Sequence, residues 1–417
     1  VVAQNVEQDW SWKVPLGPLG HLSLMNLKQN MMRIQGSPTE DVNGVIRGKR
    51  LMKKFLLVGK YSVIEPLGLM TLESTLRRLG WEVDLLLIGL LTKPEYDGPK
   101  FSSKYDFTGF STFTGYHKTI FRVADGIRRF FDGKVIIGGP HATFFSDECL
   151  NHSDFVVVGE GFKSLEKICK GEVKDGKIFE PELVSELEIP PPYRKTLYRT
   201  YPNYFSNPIK NVMCSFGCPF SCRYCWNDSY NRLYGKKVVR YRSVESVIEE
   251  CKELKNYPLE LIFFQDDCFG FKLEWLKEFS RRYKKEVNVP FHCQMRPETV
   301  TLERLALLKE AGCHGVTLAI ETFNEKVRKE LLNRRMSNEE ILRACFFIKT
   351  LNGLKLRTEQ MLGLPGTTLE DELELLRMNV QIKPNVAWTS VFAPYLGTEL
   401  GDYCKKVGLY DGDNDDL

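Results

Sequence analysis

The chain has 417 residues, and its 43% hydrophobic and 27% charged content are those of an ordinary globular protein with room for two or three cores. Lys and Arg number 58 against 54 Asp and Glu, a balance of +4 that argues against a nucleic-acid partner or a membrane surface. The most apolar run, VDLLLIGLL from Val83 to Leu91, falls well short of the ~20 residues that span a bilayer, and nothing resembles a signal peptide, so a cytoplasmic location is expected.

Residues 1–51 have no sustained period of two or 3.6 and are broken by Pro and Gly, which predicts a poorly ordered extension. From Met52 a strand–helix alternation begins. FLLVG (55–59), EVDLLL (82–87), DFTGFST (106–112), KVIIGG (134–139) and DFVVVGEG (154–161) read as short strands. LGLMTLESTLRRLG (67–80) and YHKTIFRVADGIRRFF (116–131) read as helices between them. Such alternation predicts a parallel sheet covered on both faces, a doubly wound Rossmann-like domain over 52–175. Ligands of such domains bind at the carboxyl ends of the strands, which here carry the small, Gly-rich STFTG, GGPHAT and GEG.

A Pro-containing stretch follows, and Pro190, Pro191 and Pro192 favour an extended spacer, so 176–207 is expected as a linker. Over 208–400 the alternation resumes at a longer period. KNVMCS (210–215), LELIFFQDD (259–267), PFHCQMR (290–296), GVTLAIET (315–322), LKLRTEQMLG (354–363) and VAWTSVFAP (386–394) read as strands. Ser243 caps one intervening helix, and Ser337 with Glu340 makes a capping box for another. Six βα units are fewer than the eight of a closed barrel, so a partial (β/α)6 TIM-like barrel is predicted, with its site at the strands' C-terminal ends. Residues 401–417, ending in YDGDNDDL, are expected as a truncated C-terminal segment, the chain being a candidate fragment that lacks a substrate domain.

Four of the twelve cysteines crowd CSFGCPFSCRYCWND, from Cys214 to Asp228. In a reducing compartment clustered thiols more often bind metal or do chemistry than form disulfides. Zinc usually takes paired knuckles well separated from each other, and no second pair appears downstream. A closed [4Fe–4S] cluster needs four thiolates, whereas Cys218, Cys222 and Cys225 supply three. Cys214, at the end of the preceding strand, is either a fourth ligand or a buried strand residue. His292 and Cys293 are neighbours on a strand, so only one of them can face the barrel interior.

Here the sequence resembles the radical S-adenosylmethionine (SAM) superfamily, whose signature C-x3-C-x-Φ-C is matched by CPFSCRYC with Tyr224 at the aromatic position. The resemblance implies that Cys218, Cys222 and Cys225 hold a [4Fe–4S] cluster whose fourth iron chelates SAM, and that reductive cleavage yields a 5′-deoxyadenosyl radical. It implies further that Gln265, Asp266 or Asp267 meets the SAM amino group, in place of the family's Gly-Gly-Glu-like segment. Glu321 would take the ribose hydroxyls, Arg296 the SAM carboxylate, and the MLGLPGTT turn with Gly363 and Pro365 would let backbone approach the adenine. Bland readings stand beside these: a polar strand end capping the next helix for the acidic pair, strand-end solvation for Arg296, and a Thr367–Glu370 capping box for the turn.

A doubly wound domain ahead of this barrel is similar to the cobalamin-binding radical SAM class. Ser111, Thr112, Gly115, Gly138, Gly139 and His141 would then line the cobalamin tail channel. The loop GKYSVIEPLG holds no His to coordinate cobalt, and Phe162 stands where relatives often have an acid after GEG. The resemblance implies an enzyme taking a small-molecule substrate, served by an external flavodoxin- or ferredoxin-like electron donor. Methyl transfer to an unactivated carbon or phosphorus is the leading expectation. A radical SAM cyclase or rearrangement enzyme with a scaffold-only first domain, and a non-catalytic iron–sulfur electron-transfer or redox-sensing protein, are the alternatives.

Overall fold

The computed structural model describes residues 53–89, 105–130, 132–186, 188–351 and 353–413, so the extension expected over 1–51 lies outside the described residues. The first domain runs β1 (Lys54–Lys60), α1 (Leu67–Arg78), β2 (Glu82–Ile88), β3 (Phe107–Ser111), α2 (His117–Phe130), β4 (Lys134–Gly138), α3 (Pro140–Phe144), α4 (Ser146–Leu150), β5 (Phe155–Val158), α5 (Gly161–Lys170) and β6 (Gly176–Phe179). Its six strands are parallel, in the order β2-β1-β3-β4-β5-β6.

Alternation along each strand divides the apolar residues between two cores. Phe55, Leu57, Leu85, Ile136 and Val157 meet Leu69, Met70 and Leu76 of α1 and Leu165 and Ile168 of α5. Leu56, Val58, Leu86, Ile137 and Val156 meet Ile120, Val123 and Ala124 of α2 on the other face. Burial on both faces is why these strands read as apolar runs rather than as alternating patterns. The chain leaves β1 toward β2 on one side and β3 on the other, and this reversal of strand order opens a crevice at the strands' carboxyl ends.

The stretch 176–207 is not a bare spacer. Residues 176–179 form edge strand β6, paired with β5. After the extended prolines come α6 (Arg194–Thr200) and α7 (Pro202–Ser206), whose Leu197, Tyr198 and Tyr204 complete the first domain's core. Arg194 ties the two domains together. It donates to Glu65 in the loop after β1 (3.1 Å), to the Asn211 carbonyl (2.7 Å) and to Glu250 of the second domain.

The second domain contains β7 (Ile209–Val212), β8 (Ser215–Phe216), α8 (Trp226–Leu233), β9 (Arg240–Tyr241), α9 (Val244–Leu254), β10 (Leu261–Phe264), α10 (Leu273–Glu286), β11 (Phe291–Met295), α11 (Leu302–Ala311), β12 (Cys313–Glu321), α12 (Asn338–Thr350), β13 (Lys355–Leu362), α13 (Leu369–Ile382), β14 (Val386–Val391) and α14 (Glu399–Lys406). The six long strands are parallel and lie in sequence order, β7-β10-β11-β12-β13-β14, as an unclosed barrel needs. Helices pad the outer face over one core, in which Phe264, Phe269, Phe279, Tyr283 and Phe291 pack edge to face. Ser243 caps α9, and Ser337 with Glu340 boxes α12. The box at α13 is made by Thr368 and Asp371, one residue beyond the expected Thr367 and Glu370.

Candidate active site

The cysteine loop leaves β7 and is held from several sides. Strands β8 and β9 pair as a short antiparallel ribbon at its base. Gly217 takes φ 82° with its α-carbon against the Val238 carbonyl, where no side chain fits. The Asn231 amide donates to the Cys218 carbonyl (3.1 Å), and Asn333 donates to the Ser221 carbonyl (2.8 Å). Leu332 accepts from the Arg223 amide (3.2 Å), and the Leu400 amide donates to the Arg223 carbonyl (2.9 Å). Backbone conformation is therefore fixed before any ligand arrives.

Cys218 and Cys222 are buried and Cys225 is half-buried. A single zinc ion would gather such sulfurs at about 2.3 Å from one centre. Among the described residues, the motif cysteines are not a group whose ligand atoms all lie within 4.8 Å of one another. Cys214 turns away into the core with Val212, Ile248, Cys251 and Cys293. Cys293 likewise faces that core, whereas His292 faces the barrel interior, stacked on Phe263 at 4.7 Å and bonded to Thr317 Oγ1 at 2.7 Å.

Cationic groups surround the sulfurs. Arg296 is buried, lies 3.8 Å from the Phe220 ring centroid, and donates from Nη1 to Cys222 Sγ at 2.7 Å. Its Nε and Nη2 donate to Glu298. Arg334, also buried, stands 3.9 Å from Cys222 Sγ and donates to Tyr224 Oη at 3.2 Å. Two guanidiniums beside one thiolate suit a cluster with net negative charge. Arg334 was not visible in the sequence reading. It lies in the loop beyond β12, where no periodicity marks it.

Tyr224 Oη donates to Glu321 Oε1 at 2.6 Å, and Arg334 lies 3.4 Å from the same oxygen. Glu321 has φ 70° at a register shift in the β12–β13 pairing, so a bulge aims its carboxylate inward. The three residues after β10 separate clearly. Gln265 donates to Asn211 Oδ1 at 2.6 Å. Asp266 is buried and accepts from the amides of Cys214 and Ser215 and from the Ser215 hydroxyl, so it anchors the strand end. Asp267 opens to solvent, yet burial by its surroundings raises its carboxyl pKa, and its charge acts on Cys218 and Cys225. Gly363 (φ 72°) accepts no side chain easily and donates its amide to Glu372, while Pro365 lines a separate cleft with Arg223, Val327 and Leu400. Glu359, paired with Arg357 at 2.8 Å, feels the charge of Glu321 and has its own pKa raised by burial.

A cavity of about 400 Å³ lies where the first domain's crevice meets the cysteine loop. Leu57, Gly109, Ile136 and Val157 of the sheet and Leu69, Leu72 and Leu165 of the flanking helices form an apolar slot. Trp226, Asn227, Tyr230 and Arg240 of the second domain close it. Ser111, Gly138 and Gly139 line it too. Gly139 (φ 100°) is obligatory, since an added Cβ would sit 2.6 Å from the Thr112 carbonyl oxygen. Thr112, Gly115 and His141 are not among the lining residues. Thr112 bonds its backbone to Gly138 and His141, and the His141 ring packs on the far side of α3 against His117 and Phe145. The apolar slot with a glycine wall fits a flat heteroaromatic group such as the base of a cobalamin tail.

Comparison with known proteins agrees with this geometry. The radical SAM superfamily model matches residues 212–378, and the B12 binding domain model matches residues 54–168. The chain thus carries a radical SAM domain preceded by a B12-binding domain. It is 29% identical over 366 residues to an uncharacterized methyltransferase of Pyrococcus horikoshii, covering 81% of this chain and 78% of that one. It is 24% identical to the cytidylyl-2-hydroxyethylphosphonate methyltransferase of Streptomyces wedmorensis, covering 83% and 79% of the two chains. The fold is similar to that of the radical SAM methyltransferase TsrM from Kitasatospora setae with cobalamin and a [4Fe–4S] cluster bound, at a TM-score of 0.67, 18% identity and coverage of 86% and 79%. The fold is also similar to that of the cobalamin-dependent radical enzyme OxsB with aqua-cobalamin and S-adenosylmethionine bound, at a TM-score of 0.64, 18% identity and coverage of 88% and 56%. No helix among the described residues is long and apolar enough to cross a membrane.

Proposed function

We propose that the chain is a cobalamin-dependent radical SAM methyltransferase acting on an unactivated carbon or phosphorus centre of a small molecule. One observation carries this reading. Trp226 and Asn227, the two residues after Cys225, are also walls of the first domain's cavity, and Asn227 Nδ2 faces Cys225 Sγ at 3.8 Å. The two cofactor sites therefore share one wall.

Cys218, Cys222 and Cys225 are the residues that would hold the cluster, and the apolar slot with Ser111, Gly138 and Gly139 would hold cobalamin. When bound, the cluster and SAM supply one-electron chemistry and cobalamin supplies a transferable methyl group. Arg296 and Arg334 balance negative charge beside Cys222. Of the acidic residues after β10, Asp267, exposed and acting by its charge on Cys218 and Cys225, is the one suited to an ammonium group, since Asp266 is spent on backbone amides. Glu321 presents a bidentate acceptor for hydroxyls, oriented by Tyr224. Gly363 and Pro365 shape the turn that would admit the adenine.

Substrate would enter from the open side of the barrel, and the polar groups of the sheet available to it include Arg357, paired with Glu359 at 2.8 Å. Phe144 packs on Trp226 at the seam between the domains. The reading includes a cytoplasmic location and an external flavodoxin- or ferredoxin-like electron donor. Anaerobic reconstitution with iron, sulfide, hydroxocobalamin, SAM and a strong reductant tests it. Formation of both 5′-deoxyadenosine and S-adenosylhomocysteine supports the assignment, and 5′-deoxyadenosine alone, unchanged by cobalamin, overturns it in favour of a scaffold-only first domain.

A further inference from the structure

The ring cluster behind the cavity wall is composed of metal-ligating groups. His117 begins α2, His141 lies in the first turn of α3, and Glu148 lies in α4. Among the described residues, these form the only group of three or more His, Cys, Asp or Glu whose ligand atoms all lie within 4.8 Å of one another.

The donor atoms lie close enough together to be drawn onto one ion. Both imidazoles are buried, with centroids 4.1 Å apart and planes inclined by 17°. Phenylalanine would stack there without the cost of burying ring nitrogens. The Thr114 hydroxyl, buried as well, bonds His141 Nδ1 at 3.0 Å, which leaves Nε2 directed at Glu148 Oε2, 3.2 Å away. With the Thr114 hydroxyl accepting from Nδ1–H, Nε2 is left unprotonated for an ion, the usual outer support of a metal-bound histidine. Two neutral imidazoles and one carboxylate with a fourth position open form a donor set used by zinc. Ligands at about 2.0–2.2 Å from a common ion require the three groups to draw in by roughly 1 Å and the two rings to tilt out of their stack so that both in-plane lone pairs meet.

We propose that His117, His141 and Glu148 form a second metal site, for a divalent cation of the zinc class, separate from the cysteine loop. The ion clamps α2, α3 and α4 together. Because His141 follows Gly138, Gly139 and Pro140, the clamp also stiffens the turn that walls the cavity.

The test uses the full chain with Cys218, Cys222 and Cys225 all replaced by serine, so that no thiolate of the loop competes. After chelation, the chain is titrated with Co²⁺ and, in competition, Zn²⁺. One equivalent of Co²⁺ with visible absorption of a four-coordinate nitrogen–oxygen site, displaced by Zn²⁺, is expected. Thr114→Val should weaken binding by about 10–100-fold, and His141→Ala should abolish it. Glu148 is half-exposed, so Glu148→Gln keeps the fold and carries the test if the His141 variant does not fold. Absence of a stoichiometric site, or binding indifferent to both Glu148→Gln and Thr114→Val, overturns the proposal.

Discussion

The rings of Phe144 and Trp226 lie 4.3 Å apart, inclined by 49°, and join the last residue of α3 to the residue that follows Cys225. An aromatic pair of this kind is worth about 0.5–1.5 kcal/mol beyond its buried area, a factor of roughly two to ten in an equilibrium. Trp226→Ala should therefore lower cobalamin retention by up to about tenfold and leave iron content per chain unchanged. Absorbance of bound cobalamin and an iron assay on the same sample check this. Loss of iron in step with cobalamin would show that Trp226 supports the cysteine loop instead.

The buried carboxylates Glu65 and Glu250 share Arg194, which is itself 3% exposed, and Glu250 is also paired with Arg242. Removing one partner of a buried pair leaves uncompensated charge, at a cost of about 3–5 kcal/mol. Arg194→Met should lower stability by that amount in urea unfolding. A change under about 1 kcal/mol, the range of an exposed pair, would show that water reaches the network.

Cys214 is fully buried in the barrel's outer core, away from the other three thiols of its motif. Cys214→Ala should cost about 1 kcal/mol of packing and keep the reconstituted iron. Cys218→Ala should lose it. The reverse pattern in iron analysis would contradict the ligand set.

His292 has its pKa lowered to about 3, chiefly by burial and then by the charges of Arg357 and His314. A depressed histidine is neutral in the fold but protonates in the unfolded chain below about 6.5. Its contribution is therefore complete above that pH and is lost as pH falls toward 3. The slope from this one group approaches about 1.4 kcal/mol per pH unit between pH 6 and 4. In the chain without its cluster, His292→Gln should flatten stability against pH over that window. An unchanged slope would place the acid sensitivity elsewhere.

Much of this was legible because parallel strands buried on two faces leave continuous apolar runs, as in FLLVG and KVIIG, and because the cysteine spacing is itself the motif. Short pieces were not. Edge strand β6, GKIF, buries only Ile178 and gives no pattern. The prolines at 190–192 read as a spacer, and they masked Leu197, Tyr198 and Tyr204, which carry core packing just beyond. Sequence order could not separate Asp266 from Asp267, since neighbours at a strand end point opposite ways and only coordinates show which is spent on amides. Arg334 and the His117–His141–Glu148 cluster come together through topology, from positions with no local signature.

The central claim is that Cys218, Cys222 and Cys225 leave one iron corner to SAM. Electron paramagnetic resonance of the reduced, reconstituted chain, with SAM labelled at its amino nitrogen and carboxylate oxygen, tests it most directly. The account predicts a changed signal with hyperfine coupling from both labelled atoms, retained in Cys214→Ala. A spectrum indifferent to SAM would contradict it.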